Sequence, residues 1–212
     1  MFVEIGGVRF NTVSFGIAPR TFVAHGGWTG NWELWQEPFE LMHGSWRCLS
    51  YDHRGAGETL VDPTTIDAQQ LVDDLFAILD HFEVERCVLA GESMGGLIAL
   101  LAVERDPSRF DGLVLVDAAA VDASRTGPER RPREAAARGN WMVEGSRTDY
   151  PATVQRFMDL CEPSAEHVRR WGRNILLRAD PEAAARLIEG CASVTVDLAT
   201  VTVPTPSDPR RA

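Results

Sequence analysis

The sequence predicts an α/β fold, with a mostly parallel, doubly wound sheet and helices on both of its faces. Over residues 1–116, short apolar segments typical of buried strands alternate with longer segments of helical character. In residues 91–96, G-E-S-M-G-G, a serine between glycines directly follows such a strand and precedes an apolar helix. Because parallel strands are joined by crossover helices, the alternation indicates βαβ units in one sheet.

The first half of the chain begins with a predicted hairpin over residues 3–15, in which Gly6-Gly7 separates V-E-I from the alternating V-R-F-N-T-V-S-F. A short apolar strand follows over 21–24, then helix-forming residues over 32–42 and a further strand over 46–51. Asp67 and Gln70 resemble a capping box that opens the next helix. The apolar residues of that helix recur at helical spacing: Leu71, Leu75, Ile78, Leu79 and Phe82.

A strand over 86–90 and an apolar helix over 97–103 flank the serine stretch, and G-L-V-L-V at 112–116 is the last clear strand. Residues 122–140 are polar and rich in arginine. Because Glu129 and Glu134 interrupt the basic run, we interpret this segment as a solvated linker rather than an anion or nucleic-acid patch. Short helices are predicted beyond it, and we expect them to lie over the strand ends as a cap. Their ranges are 153–161, 165–179 and 181–190.

Composition limits the classes of function. The chain has 212 residues, of which 44% are hydrophobic and 25% charged, so one soluble domain with a sizeable core is expected. The formal net charge of −10 disfavours nucleic acid and anionic membranes as partners. The four cysteines are widely spaced and form no C-x-x-C, so we expect reduced thiols, no metal site and no cofactor. The N-terminal residues lack the features of a signal peptide, which favours a cytoplasmic location.

The stretch G-E-S-M-G-G matches the nucleophile elbow, G-x-S-x-G. A sharp strand-to-helix turn of this kind holds the Ser93 hydroxyl above the sheet edge at a strained backbone position. Gly91 and Gly95 are needed because a β-carbon at either position would strike the neighbouring strand or helix. The N–H of Met94, at a helix N-terminus, can stabilise an oxyanion. The alternative interpretation is a Gly/Ser loop that only caps a helix.

With two further motifs, this stretch resembles the α/β-hydrolase fold family, in particular its esterase and lactonase-like branch with a helical cap. H-G-G at 25–27 resembles the loop after the family's third strand, and D-H-R-G-A-G-E-T at 52–59 resembles the turn after its fourth. The resemblance implies that Ser93 is the nucleophile and that the N–H groups of Met94 and Gly27 (failing that, Trp28) are the oxyanion donors. It further places four residues beside the substrate: His25, Gly26, Trp28 and Glu92.

The implied reaction is attack of Ser93 on a carbonyl carbon, formation of an acyl-enzyme and release of the acid by water. A serine at this position excludes the branch of the family that opens epoxides or displaces halide with an aspartate. The expected partner is therefore a small-molecule ester, lactone, thioester or activated amide. Trp28, Trp32 and Met94 either line a pocket for an apolar acyl group or pack in the core.

The chain departs from the family after the cap. Residues 201–205 resemble the beginning of the strand that follows a cap, but three prolines within 204–209 cannot continue a central strand. We therefore expect the final strands and helix, the usual acid and the catalytic histidine to be missing, as in a truncated or frame-shifted product. The predicted units are a core over 1–122, a cap over 123–192, and a returning strand start with an irregular tail over 193–212.

Other residues could replace the missing groups. Asp117, at the end of the strand over 112–116, is a candidate acid, and its alternative role is to start a loop. His25 and His53 occupy structural positions in this fold, and His167 in the cap is a weaker candidate base than a triad histidine. The chain is then either a serine hydrolase that is impaired in this form or a non-catalytic member that binds a ligand or a partner.

Overall fold

The computed structural model describes residues 1–118, 141–161, 165–192 and 194–205. The predicted linker over 122–140 lies outside the described residues, as does the tail after residue 205. Within the described part, six strands form one sheet. They are β1 (Phe2–Ile5), β2 (Val8–Phe15), β3 (Thr21–His25), β4 (Arg47–Tyr51), β5 (Cys87–Glu92) and β6 (Phe110–Val116).

The strand order across the sheet is β1-β2-β4-β3-β5-β6. β1 and β2 form an antiparallel hairpin, and β2 also pairs antiparallel with β4. β4, β3, β5 and β6 run parallel to one another. Gly6 and Gly7 have φ values of +56° and +78°, which suits the two central positions of a type I′ hairpin turn. The predicted mostly parallel α/β sheet is confirmed.

The predicted helices form in the predicted order, and one further helix over 141–148, which the sequence did not predict, is present among the described residues. They are α1 (Gln36–Met42), α2 (Ala68–His81), α3 (Met94–Arg105), α4 (141–148), α5 (Tyr150–Cys161), α6 (Glu166–Leu176) and α7 (Pro181–Ala192). None of the helices in the described part of the chain has the length and apolar character needed to cross a bilayer. The predicted helix over 32–42 divides into a 3₁₀ turn, Trp32–Trp35, and α1. Pro38 explains the division, because an α-helix running through Leu34 would need the N–H that proline lacks.

Helix α2 shows how local sequence sets an element. The Asp67 carboxylate accepts a hydrogen bond from the Gln70 N–H at 2.8 Å, as the predicted capping box requires. The Gln70 side-chain amide, however, donates to Asp74 at 3.1 Å. Of the five apolar residues predicted to face the core, four are fully buried and Phe82 is partly buried. The four are Leu71, Leu75, Ile78 and Leu79.

Two apolar cores cover the two faces of the sheet, since alternate strand residues point to opposite sides. Val23 and its cross-strand partners Leu49 and Leu89 face the larger core, which contains residues of α2, α3 and the helices after β6. Phe22 and Ala24 face the smaller core with Phe39 of α1. This is the doubly wound arrangement.

The edge of the sheet at β6 is partly paired. The Leu113 N–H donates a hydrogen bond to the Pro204 carbonyl oxygen at 2.9 Å. A β-carbon at Gly112 would lie 3.2 Å from the same oxygen. The segment after the helices thus runs beside β6, where the sequence resemblance places the beginning of a returning strand.

Candidate active site

Ser93 lies at the junction of β5 and α3, with φ 52° and ψ −118°. This left-handed region is unfavourable for a residue with a β-carbon, so the backbone is strained there. Hydrogen bonds hold it on both sides. The Ser93 N–H donates to the carbonyl of Val116 at 2.9 Å, and its carbonyl accepts from the Gly96 N–H at 3.0 Å.

The glycines beside Ser93 are required by close backbone contacts. A β-carbon at Gly91 would lie 2.5 Å from the carbonyl carbon of Gly95. A β-carbon at Gly95 would lie 2.5 Å from the carbonyl oxygens of both His25 and Gly26. The structure confirms the steric argument made from the sequence.

The loop after β3 borders Ser93. A β-carbon at Gly27 would lie 3.0 Å from the Ser93 Cβ. Met94 is the first residue of α3, where backbone N–H groups have no partner within the helix. The structure thus brings both predicted oxyanion donors next to Ser93. The Gly27 N–H already has a partner, since it donates to Glu92 Oε2 at 3.0 Å.

Three ionisable side chains, those of Glu92, Asp117 and Cys161, interact with one another at this site. Burial raises the pKa of the half-buried Glu92 carboxyl, the hydrogen bond from Gly27 lowers it, and Asp117 raises it again. Asp117 directly follows β6 and has φ 45°. Cys161 ends α5, and burial raises its pKa, with further increases from the carboxylates of Glu92 and Asp117. The end of α5 therefore lies close to Glu92, which the sequence did not reveal.

His25 and His53 support the loop after β3. Their rings stack with centroids 5.0 Å apart. His53 Nε2 lies 3.0 Å from the Gly27 carbonyl oxygen, and His25 Nδ1 lies 2.8 Å from that of Gly26. Burial, followed by the charge of His53, lowers the pKa of His25 to about 3, so the ring is neutral at physiological pH. These contacts suit the structural positions expected for both residues, and a contact between His25 and a substrate stays a prediction.

The other three histidines, His43, His81 and His167, have exposed side chains. The described residues include all five histidines of the chain. Among the hydrogen bonds of this described part, none joins a histidine ring to Ser93.

The turn at 52–59 connects the site to α2. The Asp52 carboxylate accepts hydrogen bonds from the backbone N–H groups of Trp32 and Glu58, at 3.1 Å and 2.8 Å. Arg54 forms a two-pronged ion pair with Asp74 of α2, at 2.5 Å and 3.0 Å. The sequence analysis did not identify Asp74 as the partner of Arg54. A charged residue among the core-facing positions of α2 could have indicated a buried ion pair.

Helices α5–α7 contact the loop after β3. Trp28 is only 3% exposed, and its Nε1–H donates to the Ala184 carbonyl of α7 at 2.9 Å. The Tyr150 hydroxyl donates to the Leu176 carbonyl at 2.5 Å and lies 3.2 Å from Thr29 Oγ1. These contacts agree with the packing alternative for Trp28, and its contact with a substrate stays a prediction. Sequence gave no signal for Tyr150 or Thr29.

The sheet order and the strained backbone of Ser93 define an α/β protein with a sharp strand–turn–helix junction between β5 and α3. Residues 20–186 match the family model described as alpha/beta hydrolase fold. The match spans well over half of the chain, so the protein belongs to the α/β-hydrolase fold family. The family resemblance seen in the sequence is confirmed.

The chain is also similar to individual proteins, three of which share 20–30% of their aligned residues with it. The chain is 30% identical over 173 residues to 3-oxoadipate enol-lactonase 2 of Acinetobacter baylyi, covering 75% of this chain but 64% of that protein. The chain thus spans less than two thirds of that relative's length. An esterase from Exiguobacterium antarcticum has a similar structure, with TM-score 0.85 and 20% identity, over 97% of this chain and 78% of the esterase. A thermophilic esterase from Thermogutta terrifontis matches with TM-score 0.82 and 25% identity, over 97% and 78%.

Proposed function

We propose that the protein is a serine hydrolase that cleaves a small carboxylic ester, lactone or related carbonyl compound through an acyl-enzyme on Ser93. The observation that carries this proposal is the backbone of Ser93, held at φ 52° and ψ −118° between β5 and α3, with Gly27 beside it. Strain of this kind is retained where it positions a reacting group. The lactonase and esterase relatives support a carbonyl substrate.

In the proposed reaction, Ser93 Oγ forms a bond to the carbonyl carbon while a base takes its proton. The N–H groups of Met94 and Gly27 stabilise the resulting oxyanion. Collapse of this intermediate expels the alcohol and leaves the acyl-enzyme, which water hydrolyses to the acid and free Ser93.

The proposed reaction needs a base that takes the proton of Ser93. A serine hydroxyl without one reacts slowly, and in the described residues no imidazole is hydrogen-bonded to Ser93. We propose that this form is impaired for that reason. Asp117 is our candidate acid, because it follows β6 at the strand end next to Ser93 and interacts with Glu92.

The second candidate function is a non-catalytic member of the family that binds a ligand or partner in the same place. The hydrogen bond from Gly27 to Glu92 favours it, because one oxyanion donor is already engaged. A cytoplasmic location and the exclusion of nucleic acid and membrane partners remain predictions from the sequence.

Covalent labelling by a fluorophosphonate, read as a mass increase of the intact protein, distinguishes the two. We expect labelling of the wild-type chain, at a slow rate because no histidine base is hydrogen-bonded to Ser93, and none of Ser93→Ala. Ser45→Ala, at an exposed serine, is the matched control and should label like the wild type. Absence of labelling in protein with a native circular dichroism spectrum would overturn the hydrolase proposal and favour the non-catalytic one.

A further inference from the structure

The carboxylate of Glu92 is hydrogen-bonded to Gly27, one of the two proposed oxyanion donors. Its Oε2 accepts the Gly27 N–H at 3.0 Å. The position of a β-carbon on Gly27 is within contact of both this oxygen and the Ser93 Cβ, so the donor, the carboxylate and the nucleophile share one small space. A backbone N–H has one proton, and a second acceptor must replace the first or share the proton at poorer geometry.

The two competing acceptors are chemically alike. A carboxylate oxygen and a tetrahedral oxyanion both carry negative charge, and both make short, charge-assisted hydrogen bonds to N–H donors. An ionised Glu92 that stayed in place would also repel the developing oxyanion. Glu92 is therefore a mimic of the group that the site is proposed to stabilise.

The surroundings of Glu92 hold it weakly. Asp117, following β6, faces it with a like charge, and the thiol of Cys161 faces it from α5. Burial and Asp117 both disfavour the ionised carboxyl, while the hydrogen bond from Gly27 favours it. In the described part of the chain, the Gly27 N–H is the one hydrogen-bond donor to the Glu92 carboxylate.

We propose that Glu92 is an internal occupant of the oxyanion site, whose carboxylate competes with the carbonyl oxygen of the substrate for the Gly27 N–H. Substrate binding then requires Glu92 to release this donor. The catalytic consequence rests on the proposed function, whereas the occupancy of Gly27 does not.

Occupancy is measured by following the Gly27 amide in ¹H–¹⁵N NMR spectra across the acid titration of the full chain. We expect its resonance to move as Glu92 ionises and to lose this movement in Glu92→Gln. Asp117→Asn is the matched control, since it removes the neighbouring charge without touching Gly27. In Asp117→Asn the Gly27 resonance should still move with pH, and the midpoint of this movement should lie at lower pH because the charge that raises the pKa of Glu92 is gone. The proposal would be refuted if the Gly27 resonance did not move with pH in the wild type, or if it moved equally in Glu92→Gln.

Competition is measured by the second-order rate of fluorophosphonate labelling at neutral pH. We expect labelling of Glu92→Ala to be faster than wild type by about tenfold or more, the order of one charge-assisted hydrogen bond. Glu92→Gln keeps an uncharged acceptor and should fall between the two. Equal or slower labelling in folded Glu92→Ala would overturn the competition. If the Gly27 resonance moves with pH as expected but the fluorophosphonate labels neither the wild type nor any variant, the occupancy of Gly27 by Glu92 is supported and only the hydrolase function fails.

Discussion

The ion pair between Arg54 and Asp74 gives a quantitative test of how the turn after β4 is held. Their side chains are only 9% and 6% exposed, and two hydrogen bonds of 2.5 Å and 3.0 Å join them. In Asp74→Leu the guanidinium keeps its charge in a buried position without a counter-ion. Removal of one partner from a buried pair costs about 3–5 kcal/mol of unfolding free energy.

The same contacts predict a different result when both partners are replaced. Burial raises the pKa of Asp74 despite the hydrogen bond and charge of Arg54, so desolvation of this carboxylate outweighs its pairing. The apolar double variant Arg54→Met/Asp74→Leu should therefore recover most of the loss, within about 1–2 kcal/mol of wild type. Asp74→Leu, Arg54→Met, the double variant and the wild type complete a double-mutant cycle.

The assay is urea unfolding followed by far-UV circular dichroism, with the free energies extrapolated to water. The exposed pair Arg86–Asp111, at 58% and 54% exposure, is the matched control. Asp111→Asn should cost about 1 kcal/mol or less. If Asp74→Leu costs no more than Asp111→Asn, or the double variant is as unstable as Asp74→Leu, the reasoning about burial is wrong.

Three further predictions concern the elbow, the buried histidine and the contact between the helices and the loop. Gly95→Ala places a β-carbon 2.5 Å from two carbonyl oxygens of the loop after β3 and should cost about 2 kcal/mol or more in urea unfolding. Gly44→Ala, with nothing within 4 Å of its β-carbon, should stay within about 0.5 kcal/mol; equal costs would contradict the steric argument. Burial lowers the pKa of His25 to about 3 in the folded protein, from an ordinary value of 6.5. The contribution of the neutral, buried His25 to the free energy of unfolding is thus complete above pH 6.5, and it falls by about 1.4 kcal/mol per pH unit below that value. Because burial also lowers the pKa of His53, the test is the difference between the two proteins. Between pH 7 and 4 the unfolding free energy of the wild type should fall more steeply than that of His25→Gln, by up to about 1.4 kcal/mol per pH unit, and identical slopes would disprove the assignment. Tyr150→Phe removes a 2.5 Å hydrogen bond to the Leu176 carbonyl and should lower stability by about 1–2 kcal/mol. It should also slow any labelling of Ser93, and an unchanged rate would show that this contact does not position the loop.

The elements and the elbow were predictable because local patterns specify them. Gly91 and Gly95 around Ser93 mark a turn that tolerates no β-carbons, and alternation of apolar strands with helices implies parallel pairing. The boundaries shifted by a few residues, as at Pro38, where a missing N–H divides the predicted helix.

The contacts that give the site its chemistry were not predictable in this way. The partners Gly27 and Glu92 are 65 residues apart in the chain, and Trp28 and Ala184 are 156 apart. Motifs placed Gly27 and Glu92 near a substrate, but they could not reveal that one already binds the other. Short-range periodicity reports which face of an element is buried. The atom that meets a given donor depends on how distant elements pack, and that is fixed by the balance of burial, charge and hydrogen bonding in the folded chain.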